Sequence, residues 1–303
     1  IPDSVQSIEY YAFAYCDNLE QVDINAGSQL GGIYSGAFYN CAKLAGIVIP
    51  DTVQEISDYA FYGCTVLKEV TLTENSKLQG VYDHAFEYAG IENFDMPAEM
   101  LVLGAYAFRG AKLKTFTFNE KLEEIGEYAL AESGLIDVEV IDIPISVENI
   151  GLYAFGGINT IKVLALPFLN QSITKMFGLN GDDIFEKISI FGGNNLGGDM
   201  AFANLKVREV YLGNSITDIG HYTFYNCKNL ITLNIPEHVN RIEYYTFAGC
   251  TSLQNVSIPS GCNYIGEYAF KECASLKSIF IPYSVAKIDD GAFSECAGME
   301  SIE

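Results

Sequence analysis

The sequence predicts an α/β fold in which about thirteen units of 22–25 residues stack into a right-handed solenoid of parallel strands and short helices or 3-10 turns. Three observations predict it: an aromatic residue at a regular step, an aliphatic residue five positions before it, and an apolar spacing that changes within each unit. Each unit is too small to bury its own apolar face, so the copies must stack, strand beside parallel strand.

The repeat extends along the whole chain. The aromatic column, with one leucine, consists of Phe13, Phe38, Phe61, Phe86, Phe108, Leu130, Phe155, Phe177, Phe202, Phe224, Phe247, Phe270 and Phe293. An aliphatic residue precedes eleven of these: Ile8, Ile33, Ile56, Val81, Leu103, Ile125, Ile150, Ile219, Ile242, Ile265 and Ile288. Ser172 and Gly197 break this second column. We therefore expect one domain over residues 1–303, with an irregular unit at 167–198.

Within a unit, the apolar period changes from helical to extended. Ile265, Ala269, Phe270, Cys273 and Leu276 occupy one face of a predicted short helix. Alternation at Ile279 and Ile281 then predicts a strand that ends at Pro282, because proline lacks the N–H that a β-ladder needs. Glycines such as Gly126 and acidic residues such as Asp58 are expected at the beginning of the helix, where carboxylates complement the helix dipole.

Composition excludes several classes of function. The chain has 17 basic and 39 acidic residues and a formal net charge of -22, which repels nucleic acid and anionic lipid. No apolar stretch is long enough to insert into a membrane, and no signal-peptide pattern is present. Both ends fall inside a repeat, so we expect the sequence to be a fragment of a longer protein. We expect a monomer.

Seven cysteines lie three residues after the column aromatic: Cys16, Cys41, Cys64, Cys227, Cys250, Cys273 and Cys296. Disulfides, a zinc site and a buried column of reduced thiols are the competing interpretations. The seventh unit has Ile158 in this position, and isoleucine replaces neither a ligand nor a nucleophile. The pattern therefore favours buried, reduced thiols, and Cys262 occupies another apolar position.

A tyrosine column lies two residues before the aromatic: Tyr11, Tyr59, Tyr106, Tyr128, Tyr153, Tyr222, Tyr245 and Tyr268. It is interpreted either as a platform for stacking carbohydrate or as a ladder on the outer wall with its hydroxyl groups in water, and the ladder is favoured.

Residues for catalysis or cofactor binding do not form a recognisable set. His84, His221 and His238 occupy dissimilar positions in the repeat, and none has metal-ligand spacing with a partner. Asp182-Asp183 and Asp289-Asp290 lack the alternating pattern of a calcium loop, and "FGGNNLGG" (191–198) is followed by no Lys-Ser/Thr. We therefore expect no enzyme activity, no catalytic residue, no metal and no cofactor.

Two surfaces are candidates for binding. The stretch from Pro167 to Gly198 is either a decayed repeat with a longer surface loop or a binding protrusion. The second surface is the outward-facing strand column, whose candidate ligand-binding residues are Asp95, Thr117, Glu139, Tyr211, Asn234 and Phe280. Tyr211 and Phe280 interrupt its polar trend, and exposed aromatic residues are typical anchors of protein interfaces.

The repeat units "IPEHVNRIEYYTFAGCTSLQNVSIP" and "IPDTVQEISDYAFYGCTVLKEVTL" resemble the BspA-like leucine-rich repeats, also called the Treponema pallidum type. The resemblance covers nearly the whole chain and weakens between Phe86 and Phe202, where the column cysteine is absent. It implies a secreted or cell-surface protein of a host-associated organism, adhesion to host or bacterial proteins, and no catalytic residues.

Three hypotheses follow. The first is a non-enzymatic surface module that binds an unidentified protein or glycan through its strand face or its irregular loop. The second is a passive spacer that displays another domain. The third is an enzyme, which no set of nucleophile, base and orienting group supports.

Overall fold

The computed structural model describes residues 1–135, 138–179, 184–196 and 198–303. These residues form a parallel β-solenoid of about 13 turns with almost no helix. All paired strands are parallel, so the predicted stacking of strands is confirmed.

The described residues group into two compact units. Unit 1 consists of Ile1–Val138, Pro144–Asn159 and Met176–Gly178. Unit 2 consists of Glu139–Ile143, Thr160–Lys175 and Leu179–Glu303. That the whole chain acts as one domain stays a prediction.

Unit 1 contains two sheets, with strands numbered in chain order. Its seven-stranded sheet, β1-β3-β5-β7-β8-β9-β11, consists of Ser7–Ile8, Gly32–Ile33, Glu55–Ile56, Gly80–Val81, Val102–Leu103, Glu124–Ile125 and Asn149–Ile150. Its three-stranded sheet, β2-β4-β6, consists of Gln21–Val22, Gly46–Val48 and Glu69–Thr71. A coil of the solenoid thus has two strands, one before the column aromatic and one after it.

Unit 2 contains three sheets. The six-stranded sheet, β10-β12-β13-β14-β15-β17, consists of Val140–Asp142, Val163–Leu166, Ile184–Ile190, Lys206–Leu212, Thr232–Leu233 and Asn255–Val256. The sheet β16-β18-β20 consists of Arg241–Ile242, Tyr264–Ile265 and Lys287–Ile288. The sheet β19-β21 consists of Ser278–Ile279 and Ser301–Ile302.

The predicted short helix of each unit is wrong in the regular units. Ile265 lies in β18, and consecutive turns follow it in which Tyr268 and Glu272 have φ of 53° and 60°. Left-handed residues at this spacing prevent a helix. The N–H groups alternate instead: that of Ala269 donates within the turn to Gly266 O (3.2 Å), and that of Phe270 donates to Ala292 O of the next coil (2.7 Å).

Asp58 and Asp83, in the position assigned to the helix beginning, cap these turns. Asp58 Oδ1 accepts a hydrogen bond from the N–H of Asp83 (3.2 Å), and Asp83 Oδ1 accepts one from the N–H of Ala105 (2.8 Å). Each carboxylate therefore bonds the next coil rather than complementing a helix dipole. Asp58 and Asp83 thus link successive coils.

The irregular unit is where a helix does form. α1 comprises Ile173–Phe177, and Ser172, which breaks the aliphatic column, accepts a hydrogen bond from the N–H of Lys175 on its Oγ (3.4 Å) as an N-cap. Phe177 is buried and stacks on Phe155 at 5.1 Å between ring centroids. This unit also contributes β13, so its described residues are built into the solenoid. Among the described residues, no helix has the length and apolar character to cross a membrane.

The core is a column of phenylalanine rings. In unit 1, Phe38, Phe61 and Phe86 stack at 5.2 Å between successive centroids. In unit 2, Phe247 and Phe270 stack at 5.1 Å. These distances follow from the strand spacing of about 4.8 Å, which fixes the rise from one coil to the next.

The column cysteines are free thiols, and most of them are buried. Burial is confirmed for Cys41, Cys64, Cys227, Cys250 and Cys273, and also for Cys262 outside the column. The prediction is wrong for Cys16, which is exposed, and Cys296 is half-buried. These two lie in the first and last coils of the sequence, so each packs against a neighbouring coil on one side only.

Each buried column thiol also has a polar role that the sequence did not reveal. Cys64 Sγ donates to the carbonyl of Phe38 (3.1 Å), and Cys250 Sγ donates to that of Phe224 (3.1 Å). Burial raises the pKa of Cys64 and Cys227 to about 12, so these thiols stay protonated near neutral pH and keep their donor hydrogen.

Candidate binding faces

The outward side chains of the six-stranded sheet form a continuous column in unit 2. In the strand register, Asp142 pairs with Ala165, Ala165 with Ser189, and Ser189 with Tyr211. Val210 pairs with Leu233, which places Asn234 beside Tyr211. Ser257 and Phe280 follow in the next coils. The strand register places Asn234 beside Tyr211, and Phe280 directly follows β19 of the sheet β19-β21. That these residues bind a ligand stays a prediction.

Glu139 does not belong to this column. The sheet register puts Asp142 in the position that the repeat spacing assigned to Glu139. The turn after Leu130, in which Gly134 has φ of 83°, delays β10 by three residues. Glu139 is exposed and forms an ion pair with Lys162.

Asn234 supports the face rather than offering free polar groups. Its Nδ2 donates to the carbonyl of Leu212 (2.8 Å), and its Oδ1 accepts from the N–H of Leu212 (2.9 Å). Both ends of the amide are thus engaged by one backbone residue. This is the pairing of a strand, made by a side chain, and it fixes the end of β14 beside Tyr211.

Three exposed aromatic side chains lie at or directly after strands of unit 2. Tyr211 is 43% exposed and Phe280 is 57% exposed. Phe191, which directly follows β13, is 52% exposed, and its ring centroid lies 6.4 Å from that of Tyr211. Phe191 was missed as a site residue, although the alternation of buried Ile188 and Ile190 could have predicted that its side chain lies outside the core.

Asp95 and Thr117 are exposed in unit 1, where the surroundings are charged. A groove of about 330 Å³ beside Asp95 is lined by Lys68, Glu69 and Glu92, among others. Glu92 forms ion pairs with Lys68 (3.2 Å) and Lys114 (2.5 Å), which lower the pKa of Glu92. Exposed ion pairs of this kind add little stability and carry no ligand preference by themselves.

The tyrosine column is a stacked ladder on the turns. Its members have left-handed backbones, with φ of 56° at Tyr59 and 59° at Tyr106. Each ring leans toward the next coil: a Cβ added at Gly36 would lie 2.4 Å from Cε1 of Tyr11, and one at Gly291 would lie 2.3 Å from Cε1 of Tyr268. The ladder predicted from the sequence is confirmed, because Tyr106 stacks on Tyr128 and Tyr222 on Tyr245. No observation tests the alternative of a carbohydrate platform.

The histidines contact tyrosines and carboxylates. His84 lies between Tyr59 and Tyr106, at 4.4 and 4.6 Å between ring centroids, and its Nδ1 is 2.5 Å from Oε2 of buried Glu87. His221 stacks on Tyr244 at 3.6 Å. Within the described ranges, no group of three or more His, Cys, Asp or Glu residues is placed to hold a metal ion. Asp182 and Asp183 lie outside the described residues, and Asp289 bonds Tyr264 and Lys287.

Comparison with known families decides the assignment. The profile of the BspA type leucine rich repeat region matches residues 1–99, 79–177 and 175–300, with six copies. The chain belongs to the BspA-type leucine-rich-repeat family. In this BspA-type chain, the column cysteine and the column aromatic residue pack one coil against the next.

One solved structure agrees at the level of the fold. A leucine-rich repeat protein from Bacteroides ovatus ATCC 8483 is 24% identical with a TM-score of 0.58, over 91% of this chain and 76% of that one. A leucine rich cell surface protein from Faecalibacterium prausnitzii A2-165 is 24% identical with a TM-score of 0.40, over 94% and 86%. A search of curated proteins gave no match.

Two features depart from the BspA-type pattern, and in both the core position is still filled by an apolar side chain. α1 replaces the stacked turns in one unit, and Phe177 still enters the aromatic column. Ile158 is buried in the cysteine position of the unit before it. Membership of this family indicates a binding or repeat module.

Proposed function

We propose that this BspA-type chain is a non-enzymatic adhesion module, displayed outside the cell, which binds a host or bacterial protein through the strand face of unit 2. The location and the adhesive role come from the family resemblance. The choice of face comes from one observation: Phe191, Tyr211 and Phe280 are large exposed aromatic residues at or directly after the strands β13, β14 and β19 of unit 2.

The geometry supports a protein ligand. Tyr211 and Phe280 are separated by three strand intervals, about 14 Å at the usual strand spacing. Between them lie Asn234, whose amide is held by Leu212, and the small Ser257. Protein interfaces are enriched in exposed aromatic residues, and the residues that contribute most binding energy are often Trp, Tyr or Arg. Tyr211 and Phe280, with small or fixed side chains between them, fit this pattern.

The test compares Tyr211→Ala and Phe280→Ala with the native chain in adhesion to host matrix proteins and to bacterial surfaces. Both side chains are largely exposed, so we expect changes in stability within about 0.5 kcal/mol. Loss of an aromatic anchor should weaken adhesion by about 1–2 kcal/mol, or roughly tenfold.

Tyr283→Ala is the matched control, because Tyr283 is an exposed tyrosine of unit 2 outside the strand column. It should adhere like the native chain. Normal adhesion by Tyr211→Ala and Phe280→Ala would contradict the strand-face proposal. A native chain without saturable adhesion would favour the spacer hypothesis. Separately, gel filtration tests the proposal that the chain is a monomer.

A further inference from the structure

A second surface of unit 1 has a composition of its own. We call it the tyrosine face; it consists of Tyr39, Tyr59, Tyr62 and Tyr88, which lie on the turns of three successive coils. The rings of Tyr39 and Tyr62 stack at 4.8 Å with an interplanar angle of 8°. Tyr62 also lies 5.8 Å from Tyr59 and 5.9 Å, edge-on, from Tyr88. These contacts hold the rings as a rigid, preformed surface.

Carboxylates surround these rings. Glu87 is buried beneath them at 4% exposure, while Asp58 and Asp83 are exposed beside Tyr59. Burial raises the pKa of Tyr59 and Tyr62, and the negative charge of Glu87 raises it further. The tyrosine face therefore combines electron-rich rings with negative charge, a combination that attracts cations.

The adjoining coil already holds a cation in these surroundings. The guanidinium carbon of Arg109 lies 5.8 Å from the ring centroid of Tyr88, and 5.6 and 5.7 Å from those of Tyr106 and Tyr128. Arg109 also pairs with Glu87 (3.4 Å) and with Glu132 at 3.7 Å. An arginine side chain thus shows, within the molecule, how tyrosine rings and carboxylates of this surface accommodate a guanidinium.

Unit 2 repeats the arrangement with lysine. Lys271 Nζ lies 5.7 Å from the ring centroid of Tyr268 and forms ion pairs with Glu272 (3.3 Å) and Glu295 (3.2 Å). Cation, tyrosine and carboxylate therefore occur together on the turns of each unit. The tyrosine face has the rings and the carboxylates: Tyr88, which Arg109 contacts, is exposed, and the half-buried Tyr39, Tyr59 and Tyr62 continue the face beyond Arg109.

We propose that the tyrosine face binds an arginine-rich or lysine-rich polypeptide segment. The net charge of -22 draws such a segment to the chain, and the rings contact its cationic side chains. The rings extend over successive coils at about 4.8 Å per coil, which suits an extended polypeptide rather than a single small cation. Rings that are already ordered lose little conformational entropy on binding. This surface is separate from the strand face proposed above.

The test measures binding of a fluorescein-labelled deca-arginine peptide by fluorescence anisotropy, at about 0.15 M salt so that distant charges are screened. The variants are Tyr62→Ala and Tyr88→Asn. Alanine occupies the position of Tyr62 in other coils, at Ala131 and Ala248, and asparagine occupies the left-handed position of Tyr88 at Asn40 and Asn226. Both variants are therefore expected to keep the fold, which thermal unfolding verifies. Neither substitution changes the net charge.

Each variant should weaken peptide binding about two- to fivefold, the range of an exposed cation–π contact. Tyr88→Phe keeps the ring and should bind like the native chain, as should Tyr283→Ala, which removes an exposed tyrosine of unit 2. Native affinity in Tyr62→Ala and Tyr88→Asn would overturn the proposal, because net charge alone would then account for binding. Absence of saturable binding by the native chain would also overturn it.

Discussion

At the scale of single residues, burial determines the chemistry of a side chain more than residue type or position in the repeat does. Cys16 and Cys64 occupy the same place in the repeat, yet Cys16 is exposed and Cys64 is completely buried. Burial raises the pKa of Cys41 to about 11 and that of Cys64 to about 12, because a thiolate cannot be solvated there. Reactivity requires an accessible thiolate, so the buried column is inert.

We therefore expect a thiol-labelling reagent to separate these cysteines. In the native chain Cys16 should react quickly and Cys296 more slowly, whereas Cys64, Cys227 and Cys250 should react only on unfolding. Mass spectrometry of peptides after timed labelling measures each site. Cys16→Ser is the control that should remove the fast phase. Rapid labelling of Cys250 in the folded chain would contradict its burial.

At the scale of elements, the strands were predictable and the turns were not. Alternation at Ile279 and Ile281 predicted the second strand of the coil, because one face of that strand is buried. Spacing from Ile265 to Cys273 fits one face of a helix, yet Tyr268 and Glu272 adopt left-handed backbones. Tyrosine and glutamate have no special preference for positive φ, so local sequence does not indicate this conformation.

The same limit applies to the candidate site. Tyr211 and Phe280 were found because apolar residues in a polar column stand out. The error at Glu139 arose because repeat spacing cannot detect a turn that delays one strand by a few residues. The role of Asn234 could not be predicted from the sequence either, because its side chain bonds the backbone of Leu212 in another coil. Contacts between coils, rather than residue patterns, decide these cases.

Close approach between coils explains a glycine that marks the turns. A Cβ added to Gly151 would lie 2.3 Å from the backbone nitrogen of Glu127 in the preceding coil. We expect Gly151→Ala to lower the free energy of unfolding by about 1–3 kcal/mol, because the coils must separate to admit the methyl group. Urea denaturation measures the change.

Gly261→Ala is the matched control for this substitution. The nearest heavy atom to its added Cβ is Glu237 O at 3.8 Å, which is an ordinary contact. Its expected effect is zero or a gain of up to about 1 kcal/mol, from lower entropy of the unfolded chain. Equal effects at Gly151 and Gly261 would refute the close approach of the coils.

At the scale of the whole molecule, stability depends on the protonation of the buried thiols. The formal net charge of -22 counts every cysteine and tyrosine as neutral. Thiols ionise in the unfolded chain near pH 9, whereas Cys64 and Cys227 in the folded chain ionise near pH 12. The unfolded state therefore releases protons first as pH rises, and stability falls with pH in this range.

This linkage gives a prediction for alkaline pH. The stabilisation from each buried thiol is fully present below pH 9 and is lost as pH rises through about 12. Between pH 9 and pH 10, each thiol should lower the free energy of unfolding by about 1 kcal/mol. Urea denaturation with a reductant, at both pH values, measures the loss in the native chain.

The double variant Cys64→Ala/Cys227→Ala isolates the thiols from the tyrosines, which are the same in both proteins. Alanine fits the buried space but leaves a cavity, so the variant is less stable at every pH. Its further loss between pH 9 and pH 10 should be smaller than that of the native chain by about 2 kcal/mol. Equal losses in the two proteins would mean that these thiols ionise as readily folded as unfolded, which is incompatible with a sealed column between the coils.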